Sequence, residues 1–106
     1  IGNLKSLEVL ILRNNRLIDL PESFKLLKNL KVLNLSWNRI SYLPEWIGNI
    51  TSLEELNLWG NQLEILPKSI NLLSNLKILD LHFNKFEHLT SLLKDLKTKK
   101  DLTIKY

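Results

Sequence analysis

The sequence predicts an α/β solenoid in which short parallel strands are joined by crossover segments. Two observations lead to this class. The chain matches itself when it is displaced by 23 residues, and the pattern LxxLxLxxNx(L/I/F)xxL occurs four times. The leucines of LxxLxL also alternate, as do the residues on one face of a strand. A fixed repeat of this length indicates stacked units, each of which buries its apolar side against its neighbours.

Each repeat is expected to contribute one strand and one crossover. Parallel strands lie roughly 4.8 Å apart and need a crossover between them, which the remainder of each repeat supplies. A Pro follows the last Leu of three repeats and suits the first turn of a short helix or 3₁₀ segment. The strand leucines are Leu7, Leu30, Leu53 and Leu76; Leu10, Leu33, Leu56 and Leu79; and Leu12, Leu35, Leu58 and Leu81.

One asparagine recurs in every repeat, and a structural role is predicted for it. The chain turns off the strand at this position, which leaves buried backbone N–H and C=O groups in need of partners. An Asn amide carries both donors and acceptors and can bridge its own turn and that of the next repeat. We therefore predict a hydrogen-bonded ladder made of Asn15, Asn38, Asn61 and Asn84.

The repeats divide the chain into three parts. Residues 1–6 match the end of a repeat, since IGNLKS is similar to IGNITS, and they are interpreted as the tail of a truncated preceding repeat. Residues 90–106 are predicted to form a C-terminal cap helix and strand, because leucines at helical spacing are followed by alternating apolar residues. The four repeats between them are 7–29, 30–52, 53–75 and 76–89, the last with an altered end.

These motifs resemble the leucine-rich repeat family over essentially the whole chain. The segments LPESF, LPEWI and LPKSI are similar to a 23-residue subclass of intracellular proteins, several of which are associated with small GTPases. The resemblance implies a right-handed, horseshoe-shaped solenoid with strands on the concave face and short helical or 3₁₀ crossovers on the convex face. It also implies a cytoplasmic location and a protein partner, such as a small GTPase or another signalling protein.

The composition and charge of the chain further restrict the classes of function that it can have. There is no Cys, which excludes a disulfide framework and favours an intracellular setting. The net charge of +4 arises mainly in residues 94–105, and we interpret it as a solvated helix face, with no nucleic acid or membrane partner expected. His82 and Asp80 share a strand face but lack a third metal ligand. Without a positioned nucleophile or a phosphate loop, we expect no catalytic residues, no cofactor and no metal.

The side chains between the strand leucines are predicted to bind a partner from the concave face. Large aromatic residues on a solvent-facing sheet are typical of binding hot spots. We predict a groove with Gly60 as its floor, between Trp37 and Phe83, which the strand spacing places roughly 10 Å apart. The predicted partner-binding residues are Trp37, Trp59, Phe83, His82, Gly60, Asp80, Glu55, Arg13, Asn34 and Asn57.

Two alternatives stay open. In the first alternative, Trp37 and Trp59 form cross-strand pairs that only stabilise the sheet. In the second, the whole chain is a structural or regulatory spacer in a multidomain signalling protein or enzyme. The favoured prediction is a protein-interaction module, a fragment of a larger intracellular protein. We expect it to be monomeric, with the raw sheet edge at residues 8–12 favouring some association.

Overall fold

The computed structural model describes residues 4–96 and 101–106, which contain a five-stranded parallel sheet. The strands pair in the order of the sequence, and each strand is parallel to the next. They are β1 (Val9–Ile11), β2 (Val32–Asn34), β3 (Glu55–Asn57), β4 (Ile78–Asp80) and β5 (Thr103–Lys105). The predicted α/β solenoid is confirmed, because consecutive repeats stack side by side.

The register of the sheet follows the 23-residue period. Leu10 pairs with Leu33, which pairs with Leu56, which pairs with Leu79. The last three of these side chains are fully buried. The flanking residues of each strand, such as Glu55, lie on the opposite, concave face, because successive side chains of a strand alternate. Residues that are 23 positions apart on this face therefore form rows of neighbouring side chains across the sheet.

The crossovers after the first three strands are 3₁₀ helices that follow a proline directly. They span Glu22–Leu26, Glu45–Asn49 and Lys68–Leu72. The preceding prolines have φ angles of −59°, −68° and −68°, close to the value that the pyrrolidine ring fixes. A shorter 3₁₀ helix spans Leu4–Ser6. The core fills the space between these helices and the sheet, and consists of leucine and isoleucine with Phe24.

The second and third of these crossover helices approach each other closely at a glycine. Gly48 is buried in the helix Glu45–Asn49. A Cβ atom at this position would lie 2.7 Å from the Cβ atom of Ser69, and closer still to the Ser69 carbonyl oxygen. Only a residue without a side chain therefore fits here without displacing the backbone of the neighbouring helix.

An α-helix, α1 (Leu89–Leu96), and β5 lie in the segment for which a terminal cap is predicted. Leu93 and Leu96 are buried against the core, whereas Lys94 is exposed. Residues 1–3 of the predicted tail, and Lys97, Lys99 and Lys100 of the predicted basic helix face, lie outside the described residues. No helix in the described ranges has both the length and the apolar character that a membrane crossing needs.

Candidate functional site on the concave face

The recurring asparagines complete the turns that end the strands. Oδ1 of Asn38 accepts hydrogen bonds from the backbone N–H groups of Asn15 and Leu17, both at 2.9 Å. Its Nδ2 donates to the carbonyl oxygens of Leu12 and Leu35, also at 2.9 Å. The amide therefore joins its own turn to the preceding repeat. Our expectation that it would reach the next repeat is wrong in direction.

The same pattern recurs one and two repeats further on. The N–H of Ile40 donates to Oδ1 of Asn61 at 3.1 Å, and the N–H of Leu63 donates to Oδ1 of Asn84 at 3.0 Å. Asn15 differs, because the one hydrogen bond of its side chain in the described residues goes to the carbonyl of Arg13. A turn is thus closed by the Asn of the repeat that follows it.

A second set of polar side chains fixes the strand ends from the concave side. Oδ1 of Asn34, Asn57 and Asp80 accepts the backbone N–H of the residue two positions later, at 3.0 to 3.1 Å. This local hydrogen bond is characteristic of Asn and Asp in turns. These three predicted partner-binding residues therefore have a structural task. Asp80 is only 7% exposed, so it does not offer the open carboxylate that its predicted part in partner binding requires.

Four equivalent residues on the concave side, one in each repeat, lie in the left-handed backbone region. The φ angle is 62° at Asn14, 57° at Trp37, 75° at Gly60 and 54° at Phe83. Gly and Asn adopt this conformation readily, whereas other residues pay about 1–2 kcal/mol for it. Trp37 and Phe83 therefore occupy positions for which the backbone alone would select Gly or Asn.

Four rings on the concave face form what we call the aromatic cluster: Trp37, Trp59, His82 and Phe83. Ring centroids lie 6.2 Å apart for Trp37 and Trp59, 5.9 Å for Trp59 and Phe83, and 5.2 Å for Trp59 and His82. Such separations are typical of interacting aromatic pairs. Trp59 lies centrally and is partly buried, while Trp37 and Phe83 remain 44% and 69% exposed.

The predicted groove over Gly60 is filled by the protein itself. A Cβ atom on Gly60 would lie 2.6 Å from Cε3 of Trp37, so the indole ring lies directly over the glycine. The Trp37 and Phe83 rings are 6.4 Å apart, well below the roughly 10 Å expected from the strand spacing. The prediction of an open groove with a glycine floor is therefore wrong, and the surface offered to a partner is the outer side of packed rings.

This packing makes Gly60→Ala informative. The new methyl group meets the Trp37 ring, and alanine at a φ angle of 75° is strained. We expect the free energy of unfolding to fall by about 2–4 kcal/mol in urea titrations, of which backbone strain accounts for about 1–2 kcal/mol. In a Trp37→Asn background the loss should shrink to the backbone part, because no ring remains to be displaced. Equal losses in both backgrounds would show that the indole does not cover Gly60.

The centre of the aromatic cluster contains an unsatisfied donor. Nε1 of Trp59 is buried and has no hydrogen-bond partner within the described ranges. Glu55 and Arg13, by contrast, are exposed on the same face, where both carry charges toward solvent. In the part of the chain that the structure describes, no three His, Cys, Asp or Glu side chains come together as a metal site requires.

Two further features were not recognised in the sequence. Asn75 donates through Nδ2 to the carbonyl of Thr51 at 2.9 Å, and Asn29 bonds the carbonyl of Lys5 in the same way, so a second polar row ties the repeats together. Tyr42 and Ile65 are exposed and line an apolar cavity of about 260 Å³ on the flank of the solenoid. In both features the residues are spaced at or near the 23-residue period, and this spacing is the sequence signal that could have revealed them.

Comparison with known proteins places this architecture in a family. The family model described as a leucine-rich repeat region matches residues 1–105. The chain therefore belongs to the leucine-rich repeat family. Members generally serve in protein–protein interaction and are generally not enzymes.

A solved structure of a leucine-rich repeat protein from Leptospira interrogans is similar to this chain. The two share 37% sequence identity and a TM-score of 0.87 over 94% of this chain. The chain spans only 25% of the length of that protein. No curated protein matches the chain.

Proposed function

We propose that this chain is a protein-binding segment of a larger intracellular protein and that the aromatic cluster on its concave face holds the partner. Family membership supports protein interaction in general. The similarity of its LPxx(F/I) segments to GTPase-associated proteins favours a signalling partner such as a small GTPase. Within the proposal, Trp37 and Phe83 are the apolar anchors, and Glu55 and Arg13 supply polar contacts around them.

The observation that carries the proposal is the presence of two large, exposed rings on strained backbone. Asn14 and Gly60 stand at equivalent positions and fit the left-handed conformation. A scaffold selected for stability alone would repeat those residue types, because they avoid the cost of about 1–2 kcal/mol. Strained residues concentrate at functional sites. Phe83, which is 69% exposed, gains little burial in return for its strain.

The alternative in which the aromatic residues only stabilise the sheet rests on a different observation. Trp59 is partly buried beneath its neighbours, and its contacts with Trp37 and His82 would stabilise the sheet whether or not a partner binds. This accounts well for Trp59. It does not account for Trp37 and Phe83, whose outer faces remain in solvent at the cost of backbone strain.

The binding role and the stabilising role of these rings can be distinguished in a Trp37→Asn/Phe83→Asn double variant. Asn relieves the backbone strain at both positions, and this offsets the lost ring contacts, which are worth about 0.5–1.5 kcal/mol per pair. We therefore expect the melting temperature to change little. Peptides selected on the wild-type protein from a displayed random library should bind the variant at least about 30-fold more weakly in calorimetry, as expected for hot-spot residues.

Leu72→Asn is the matched control for this experiment. Leu72 is an exposed apolar residue in a crossover helix, away from the aromatic cluster, and its replacement should leave peptide affinity unchanged. Selection of no binder, or of binders that depend on Leu72 and ignore the double variant, would contradict the proposal. A double variant that binds normally but melts much earlier would show instead that these rings only stabilise the sheet.

A further inference from the structure

The fourth repeat contains an acid–histidine pair that the other repeats lack. Asn34 and Asn57 stand at the positions equivalent to Asp80, and all three accept the backbone N–H two residues later. An amide therefore suffices for that structural task. Asp80 additionally accepts a hydrogen bond from Nδ1 of His82, at 2.7 Å. Its side chain thus has a second role, directed at the histidine ring, as the side chain of Asn34 has toward the Ser36 hydroxyl, which donates to it at 2.6 Å.

This contact determines which nitrogen of His82 carries a proton. An ionised carboxylate has only acceptors, so Nδ1 must be the donor. In the neutral ring the lone pair then lies on Nε2, which is the less common arrangement for a free histidine. Nε2 has no hydrogen-bond partner among the residues that the structure describes, and the side chain is 38% exposed. Asp80 therefore holds an unused acceptor in a fixed orientation on the concave face.

The acceptor lies at the border of the aromatic cluster. The His82 ring is 5.2 Å from the ring of Trp59 and 6.5 Å from that of Phe83, centroid to centroid. Lys105 stands beside Asp80 in the sheet register, yet no ion pair joins them within the described ranges. The polar partner of the carboxylate is thus the imidazole, and an apolar surface adjoins a single directed acceptor.

We propose that Nε2 of His82 selects a partner side chain that combines an apolar body with a terminal N–H or O–H donor, as in tyrosine. The body lies on the outer faces of Trp37 and Phe83, and the donor hydrogen-bonds to Nε2. His82 is then the specificity-determining residue of this surface, and Asp80 is its positioning residue. The inference rests on the proposed function, because it assigns the chemistry of the partner at the same surface.

The orientation of the imidazole is testable without any partner. Nitrogen-15 NMR of the wild-type protein should show His82 mainly protonated at Nδ1. In Asp80→Ala the ring should revert toward protonation at Nε2, whereas Asp80→Asn, which keeps an acceptor oxygen and the residue type of Asn34 and Asn57, should preserve much of the wild-type state. A wild-type ring protonated mainly at Nε2 would overturn the assignment of the free acceptor.

Selectivity is measured with two variants that lose the acceptor in different ways. His82→Phe keeps an aromatic ring, and His82→Lys keeps a donor for Asp80 but has no acceptor. Peptides selected on the wild-type protein from the displayed library should contain a donor-bearing residue, such as Tyr, at one fixed position. Changing that Tyr to Phe should weaken binding about three- to tenfold, as expected for one hydrogen bond. Neither His82 variant should distinguish the two peptides.

The outcomes separate this inference from the proposed function. If peptides depend on Trp37 and Phe83 but the Tyr-to-Phe change costs the same in the wild type and in both His82 variants, the inference is wrong and the proposed function stands. If no peptide depends on the aromatic cluster, the proposed function fails, and the inference fails with it.

Discussion

Replacing Asn61 with Ala is expected to lower the free energy of unfolding by about 3–5 kcal/mol. The side chain is buried and serves three backbone groups: the N–H of Ile40 at 3.1 Å and the carbonyl oxygens of Leu35 and Leu58 at 2.9 and 3.1 Å. The N–H of Ile40 is left without a partner, which costs about 1–3 kcal/mol. The two carbonyl oxygens keep a hydrogen bond from Asn38 and from Asn84, and the loss of their second bond costs about 0.5–1.5 kcal/mol each. The free energy of unfolding of a domain of this size is about 5–15 kcal/mol, so this substitution would remove a large share of it.

Urea titration followed by circular dichroism measures this loss, and Asn15→Ala is the control. Asn15 occupies the same repeat position but is exposed, and its side chain makes one described hydrogen bond, to Arg13. We expect the control to lose less than about 1 kcal/mol. Similar losses for Asn61→Ala and Asn15→Ala would contradict the role given to the buried amide.

Gly48→Ala is expected to destabilise the protein by about 2–3 kcal/mol, although it adds a single methyl group. The added carbon would overlap Ser69, and the nearest obstacle is a backbone carbonyl, which moves only if its helix moves. Overpacking of this kind typically costs about 1–3 kcal/mol. Asn49→Ala, at the exposed neighbouring position of the same helix, is the control and should change stability by less than about 0.5 kcal/mol.

A second substitution tests the cause of this effect. Ser69→Gly removes the Cβ atom that the new methyl group would meet at 2.7 Å but leaves the Ser69 carbonyl oxygen in place. The double variant Gly48→Ala/Ser69→Gly should therefore recover only part of the lost stability. Full recovery would show that the side chain, and not the helix backbone, limits the approach.

The sheet was predictable because the same pattern of alternating leucines occurs four times in the chain. Strand residues such as Leu33 and Leu56 recur at a fixed interval, and burial of one face allows only one register. Pairing of Asp80 with Lys105 extends this register to β5, where the leucine spacing has already changed. Repetition thus determined the backbone, including the rows of side chains on the concave face.

The candidate site was less predictable because it depends on side-chain directions. Trp37 and Phe83 are two repeats apart. This separation predicts the distance between their backbones but not the distance between their rings. The left-handed φ angle at both positions brings their rings together, and the Trp37 ring lies over Gly60. Gly60 was interpreted as an empty floor, although its conformation and the overlying indole both require it. Asp80 is likewise predicted from the sequence to bind a partner, since alternation gives a face of the sheet but not a local hydrogen bond.

The backward reach of the asparagines has a consequence for how the protein is made. Asn38, Asn61 and Asn84 each close the turn of the coil that precedes them. On the ribosome the N-terminal coil emerges first. The turn of a coil lacks its closing hydrogen bonds until the following coil has been translated. Each coil is therefore expected to complete its folding only after the next coil has been synthesised.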